Sequence, residues 1–226
     1  MRIDILSAVP DLMHSPLNTS IIKRGRDKGL VTIEVHNIRD YAHDKHRMID
    51  DRPFGGQPGM LLKPEPLFEA IETLNQRYQY DTMIFTSPRG KIFDQKDANR
   101  LSLKQNILFV AGHYKGIDQR VVDTFAQEEF SIGKFVLSGG ELPALLLVDA
   151  IVRLIPGVLG DSESALNDSF MDGEAIEAPA YTRPAEFRGM KIPDVLLTGN
   201  HGKIKEWQKE QSVIQTEIWK KNNNIF

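Results

Sequence analysis

The sequence predicts an α/β fold built on a mostly parallel sheet, followed by a small, mainly helical C-terminal domain. Three observations carry this. Short apolar, β-branched runs recur at residues 3–9, 31–35, 83–87, 107–111 and 135–137. Helical patterns fall between several of them, at 65–74, 94–103 and 118–125, and such alternation marks parallel strands joined by crossover helices. An acidic stretch then separates this pattern from one amphipathic helix at about 202–219. The domains expected are 1–160, a flexible linker at 161–177, and 178–226.

Taken in order, Met1-Arg2-Ile3-Asp4-Ile5 carries an acid at its fourth position and reads as a first strand, not a signal peptide. The run at 83–87 closes on Thr86-Ser87-Pro88-Arg89-Gly90. The run at 107–111 stops at Gly112, where a ligand loop leaves the C-terminal end of a strand. Between Ser131 and Gly160, glycines, a proline and an apolar helix alternate too tightly for an ordinary surface loop. Gly133, Gly139 and Gly140 allow close backbone approach. Glu141 opens a helix whose Leu145, Leu146, Leu147, Val148, Ile151 and Val152 are apolar almost all round, so burial is expected. Arg153 interrupts it near its end, and an arginine facing a glycine-lined pocket needs an anionic partner, for which substrate is a candidate. The linker holds six acids (Asp161, Glu163, Asp168, Asp172, Glu174, Glu177) and no base. Beyond it, Tyr181-Thr182-Arg183-Pro184 and Gly199-Asn200-His201 lead into the last helix, with Trp207 among lysines.

The 226 residues can bury a real core. The 28 Lys and Arg against 31 Asp and Glu leave a net charge of −3, so there is no global basic field to hold nucleic acid indiscriminately. Cysteine is absent, which excludes disulfides, thiolate metal sites and a thiol nucleophile. No apolar run approaches the length of a membrane span, and a cytoplasmic protein is expected.

Several constellations admit two readings. The loops 86–90, 112–116 and 132–143 contain neither a G-x-x-x-x-G-K-[ST] nor a G-x-G-x-x-G phosphate cradle. They are either plain turns or three backbone surfaces that clasp a flat heterocycle such as adenine. His43-Asp44-Lys45-His46-Arg47 matches no metal-ligand spacing; with Asp50-Asp51-Arg52-Pro53-Phe54-Gly55-Gly56 it reads as a polar segment and a candidate substrate wall. Asp168 is either a cap or solvated acid, or a general base on a segment that orders over substrate. The last helix either packs with a solvated charged face, or offers lysines to phosphates and an aromatic ring to a base.

Taken together, these motifs identify a resemblance over nearly the whole chain. It runs from Arg39-Asp40 and His43 to Arg47 through Asp50 to Gly56, Pro58-Gly59-Met60, Ser87-Pro88 and Gly112-x-Tyr114-x-Gly116-x-Asp118. It continues with Ser131-Ile132-Gly133, Leu137 to Pro143, Ile155 to Gly160, Asp168-Ser169-Phe170, Tyr181 to Pro184 and Gly199-Asn200-His201. In these residues the chain resembles the bacterial tRNA (guanine-N1)-methyltransferases of the SPOUT superfamily.

The resemblance implies a homodimer whose α/β domain carries a deep C-terminal trefoil knot around S-adenosylmethionine, with the active site between subunits. It implies cofactor contacts from Thr86, Ser87, Pro88, Gly112, Tyr114, Gly116, Ile132, Gly133, Phe135, Leu137, Gly139, Gly140 and Pro143. Substrate contacts would come from His46, Asp50, Arg52, Gly55, Gly59, Ser169, Arg183, Asn200, His201 and Trp207. The methyl acceptor would be N1 of guanosine 37, just 3′ of the tRNA anticodon. Asp168 matches the family's general base, worth roughly 10²–10⁴-fold, and Arg153 the arginine that stabilises charge on O6, worth about 3 kcal/mol. No residue is assigned as a metal ligand. Lys115 stands where the family usually has a glutamate tied to magnesium dependence, so the magnesium requirement stays open. The alternatives are a tRNA- and cofactor-binding homologue impaired in catalysis, and a knotted methyltransferase for another RNA.

Overall fold

The computed structural model describes residues 1–160, 168–171 and 173–223. Its chain divides into two compact units, Met1–Gly160 and Asp161–Phe226.

The first unit runs β1 (Arg2–Ser7), α1 (Asp11–Leu17), α2 (Ser20–Asp27), β2 (Thr32–Asn37), a 3-10 turn (Ile38–Tyr41), β3 (Asp50–Asp51) and β4 (Leu61–Leu62). It continues with α3 (Pro64–Tyr78), β5 (Thr82–Ile92), α4 (Gln95–Leu101), β6 (Asn106–Ala111), α5 (Gln119–Phe125), β7 (Glu128–Ser131) and α6 (Glu141–Val152). Five of these strands form one sheet in the order β2-β1-β6-β5-β7, parallel at every pairing.

The helices begin and end where local chemistry dictates. Pro64 opens the first turn of α3, where its missing N–H costs nothing, and Gln79 ends that helix in the left-handed region. At α4, Asp94 and Asp97 form a reciprocal capping box. Alternation along the strands sorts the core onto two faces. Ile3 and Ile5 of β1, with Ile107 and Phe109 of β6, pack beneath α1, α2 and α6. Leu6, Leu108 and Val110 point the other way, against α3 and α5.

Two local expectations are corrected. The run at 135–137 is not a strand; the fifth strand of the sheet is Glu128–Ser131. Two glutamates hide it, yet Phe130 is buried and stacks edge-to-face on Phe93 at 5.3 Å. Phe135 and Val136 lie instead in a loop, 56% and 93% exposed. The α6 helix is also not buried all round: Leu142 and Leu146 are 49% and 56% exposed, because they lie on the face turned from the sheet. Helices α1 and α2, seven and eight residues long, lie outside the expected helical segments.

The second unit holds a two-stranded hairpin, β8 (Glu186–Phe187) and β9 (Met190–Lys191), turned by Arg188 and Gly189, both at positive φ. A 3-10 turn (Asp194–Leu197) and α7 (His201–Asn222) follow, and the Asn200 side chain caps α7 by accepting from the Lys203 N–H at 3.2 Å. Within the segment expected as a flexible linker, residues 161–167 and 172 lie outside the described residues. Residues 168–171 and 173–177 do not run free but are fastened to α7: Ile176 donates its N–H to Thr216 Oγ1 at 2.9 Å and accepts from Ser212 Oγ at 2.5 Å. Among the described residues no helix is long and apolar enough to cross a membrane.

Candidate active site

Parallel strands deliver their C-terminal ends, and the loops that leave them, to one edge of the sheet. At that edge β5 ends its pairing with β6 at Thr86, β6 passes into Gly112, and β7 passes into Ile132. The three loops meet at one point. Thr86 Oγ1 donates to the Gly140 carbonyl at 3.2 Å, and the Gly140 N–H donates to the Gly112 carbonyl at 2.5 Å. His113 and Gly139 add an antiparallel bridge. Gly140 has no room for a side chain: a Cβ there would run into Thr86 Oγ1 and lie 2.8 Å from the Gly112 nitrogen.

The loops enclose a cavity of about 400 Å³. Every residue expected to contact cofactor lines it: Thr86, Ser87, Pro88, Gly112, Tyr114, Gly116, Ile132, Gly133, Phe135, Leu137, Gly139, Gly140 and Pro143. Between Thr86 and Lys91, both of which pair with Phe130, the strand loops out, and that excursion puts Ser87 and Pro88 on the wall. Phe135, Leu137, Ile132 and Pro143 make one side apolar, while backbone groups of the glycine loops supply polar edges.

Sequence reasoning missed a polar network behind this wall. Glu141, at the start of an apolar helix, is 2% exposed. Its Oε1 accepts from Ser7 Oγ at 3.0 Å, and Ser7 Oγ in turn accepts from the Val9 N–H at 2.9 Å. Its Oε2 faces His113 Nδ1 at 3.3 Å. His113 lines the cavity and stacks edge-to-face on Tyr114 at 4.8 Å. The buried carboxylate thereby fixes the orientation of a pocket imidazole from behind. A Cβ on Gly139 would collide with both partners of that pair. The only sequence signal was an acid directly after two glycines, which also reads as a helix opener.

The other expected residues fall in separate places. Asp50 lies in the β3–β4 hairpin, and Arg52 and Gly55 in its exposed loop. This hairpin is tied to the pocket loop: the Lys115 N–H donates to Met60 O, and the Leu62 N–H to Gly116 O, each at 3.0 Å. The Lys115 side chain lies across Gly59, at 2.7 Å from the position a Cβ would occupy. His46 is exposed in the turn before it, where its N–H donates to Asp44 Oδ1. In the second unit, Asp168 opens the turn fastened to α7, and Ser169 Oγ accepts from the Glu177 N–H at 3.0 Å. Arg183 is exposed, Asn200 and His201 begin α7, and Trp207 lies 6.4 Å from the Tyr181 ring.

Arg153 does not line the pocket of its own chain. It caps the far end of α6, whose first turn bears Gly140 and Pro143, and at about 1.5 Å per residue that places it roughly 20 Å away along the helix. Among the described residues one group of metal-type ligands lies together, Asp4 on β1 with Glu34 and His36 on the edge strand β2. Arg2 occupies it, donating to Asp4 at 2.6 Å and 2.8 Å and to Glu34 at 2.9 Å, so its charge is already met.

Comparison with known proteins places this architecture. Residues 1–223 match the family model of tRNA (Guanine-1)-methyltransferase TrmD. The tRNA (guanine-N(1)-)-methyltransferase of Chlorobaculum tepidum is 54% identical over 94% of this chain and 92% of its own. That of Bacteroides fragilis is 52% identical over 96% of both chains. That of Carboxydothermus hydrogenoformans is 47% identical over 96% of this chain and 84% of its own. With three glycine loops closed on one cavity and a match spanning nearly its full length, the chain belongs to the tRNA (guanine-1)-methyltransferase family.

Proposed function

We propose that the protein is a cytoplasmic, homodimeric enzyme that transfers a methyl group from S-adenosylmethionine to N1 of guanosine 37 in tRNA. The observation that carries this reading is the cavity at the sheet's C-terminal edge, which gathers all the loops that the family resemblance assigns to the cofactor. The residues suit that ligand. A volume of about 400 Å³ lies in the range of small-molecule sites, apolar side chains offer a face for adenine, and exposed backbone groups can read its edge. The chain's path through these loops, where residues 112–113 join 139–140 at the pocket, is taken as the knotted one that the resemblance implies.

S-adenosylmethionine, when bound, supplies a methyl group on a sulfonium. The protein's residues do the rest. Guanine N1 carries a proton at neutral pH, which the Asp168 carboxylate would accept as N1 takes the methyl, the sulfonium C–S bond breaking to leave the neutral thioether. While N1 loses its proton, negative charge builds on O6, where the Arg153 guanidinium would donate hydrogen bonds in an oxyanion-type contact. Exposed Lys203, Lys205 and Lys209 on α7 offer phosphate contacts whose strength falls with salt.

Two observations support a dimer. Arg153 lies about 20 Å from the pocket of its own chain, so a second copy is the natural source of the arginine that completes each site. On α6, Leu142, Leu146, Asp149 and Arg153 share one face, and its two leucines are exposed, with Asp149, on a helix whose opposite face is buried.

The test is labelled methyl transfer to a tRNA transcript with guanosine at position 37, beside one with adenosine there. Transfer to the first alone is the expected result. Binding of tRNA and S-adenosylmethionine without transfer would instead establish a binding protein, and equal transfer to both transcripts would place the target elsewhere.

A further inference from the structure

We infer that the C-terminal turns of α7 are the positioning element for Asp168, with Trp219 as the residue that locks it. The inference rests on the reading of Asp168 as general base and adds what holds it.

Ser212, Thr216 and Trp219 lie at helical spacing on one face of α7. The Thr216 hydroxyl spends its hydrogen on the Ser212 carbonyl at 2.7 Å, which leaves its oxygen to accept from the Ile176 N–H. Ser212 Oγ donates to the Ile176 carbonyl, so both polar groups of Ile176 are held by α7. Lys220 adds an ion pair to Glu174 at 2.8 Å. The turn is closed on itself as well: the Phe170 N–H donates to Ala175 O at 2.7 Å and the Glu177 N–H to Ser169 Oγ at 3.0 Å.

Phe170 is the critical link. Its φ of 71° is unfavourable for a bulky side chain and persists only where surroundings hold it. Its ring packs edge-to-face on Trp219, with centroids 5.2 Å apart. Asp168 is two residues upstream and its carbonyl accepts from the Met171 N–H in the same turn. Loss of the Trp219 ring frees Phe170 to relax toward negative φ, and the direction of the Asp168 carboxylate changes with it. A misplacement of that size is enough to slow a reaction that depends on alignment.

The experiment compares full-length wild type, Trp219→Ala, Trp219→Phe and Asp168→Ala. Trp219→Ala should lower kcat for methyl transfer by about tenfold or more while KM for tRNA and for S-adenosylmethionine stays within about twofold, the pattern of an interaction needed only in the transition state. Hydrogen exchange at the Phe170, Ile176 and Glu177 amides should speed up in the same variant. Trp219→Phe, which keeps an aromatic edge, should recover most of the rate. If Trp219→Ala does not fold, Thr216→Val, which removes the acceptor for Ile176 at nearly constant shape, should give the same split. Wild-type kcat in Trp219→Ala, or a lowered kcat with those amides still protected, overturns the inference. Should Asp168→Ala retain transfer, the general-base assignment fails and this inference with it. Loss of transfer in Asp168→Ala beside an unaffected Trp219→Ala refutes the positioning role alone.

Discussion

Replacing Gly140 with alanine adds one methyl group at the point where the three pocket loops meet. The backbone there has φ −85° and ψ −1°, which alanine adopts freely, so the whole effect is steric. The new Cβ would overlap Thr86 Oγ1 and lie 2.8 Å and 3.1 Å from the nitrogen and oxygen of Gly112. Two of those three atoms are backbone, which cannot swing aside, and Thr86 is only 6% exposed. Forcing a methyl into such a site costs about 1–3 kcal/mol. Separating the loops also breaks the hydrogen bonds from Thr86 Oγ1 to Gly140 O and from Gly140 N–H to Gly112 O, at about 1 kcal/mol each. The total, about 3–5 kcal/mol, corresponds to a fall in Tm of roughly 10 °C for a chain of this size. Calorimetric affinity for S-adenosylhomocysteine should fall with it, because the same atoms frame the cavity. Gly160→Ala is the control: nothing lies within 4 Å of its Cβ position, and its Tm should stay within about 2 °C of wild type. If the two variants melt together and bind the ligand equally, the junction does not hold the pocket.

Three further outcomes follow from the same geometry. Lys115→Glu exchanges an ammonium on the pocket wall for a carboxylate, and methyl transfer assayed with and without EDTA should be more sensitive to chelator in the variant than in the wild type. Leu146→Glu places a charge on the exposed face of α6 and should halve the sedimentation mass and abolish methyl transfer, while S-adenosylhomocysteine still binds by calorimetry. Asp4→Asn concerns the buried network in the sheet: burial by itself raises the Asp4 carboxyl, but hydrogen bonds from His36 and Arg2 outweigh it and hold the pKa below the ordinary range. A depressed native pKa stabilises fully above the unfolded value of about 3.9 and is lost as pH falls through the native one. Asp4→Asn should therefore cost about 3–5 kcal/mol at pH 7, measured by denaturant unfolding, and the gap to wild type should close on acidification below about pH 4.

Much of the fold was legible from local pattern. Short apolar runs such as residues 3–9 and 107–111 marked strands, and the helical patterns between them marked the crossovers of a parallel sheet. Glycine and proline spacing marked the three loops at strand ends, with Gly112 as the stop of one strand and Gly133, Gly139 and Gly140 as sites of close backbone approach. Pattern failed where two signals competed. Residues 135–137 look like a strand by composition, yet Glu128–Ser131 takes the sheet edge, since pairing with β5 and burial of Phe130 against Phe93 outweigh two unfavourable glutamates.

The sequence by itself determined the parallel α/β order, the family and the loops that line the pocket, because periodicity, turn chemistry and motif spacing are properties of neighbouring residues. Tertiary structure alone decided that Glu141 is a buried anchor for His113, that Leu146 is exposed, that Arg153 stands a helix length from its own pocket, and that Asp168 sits on a turn fastened to α7. Each of these is a question of which surfaces meet. A residue's burial and partners are set by chain segments far away in sequence, 134 residues for Ser7 and Glu141, and only packing brings those together.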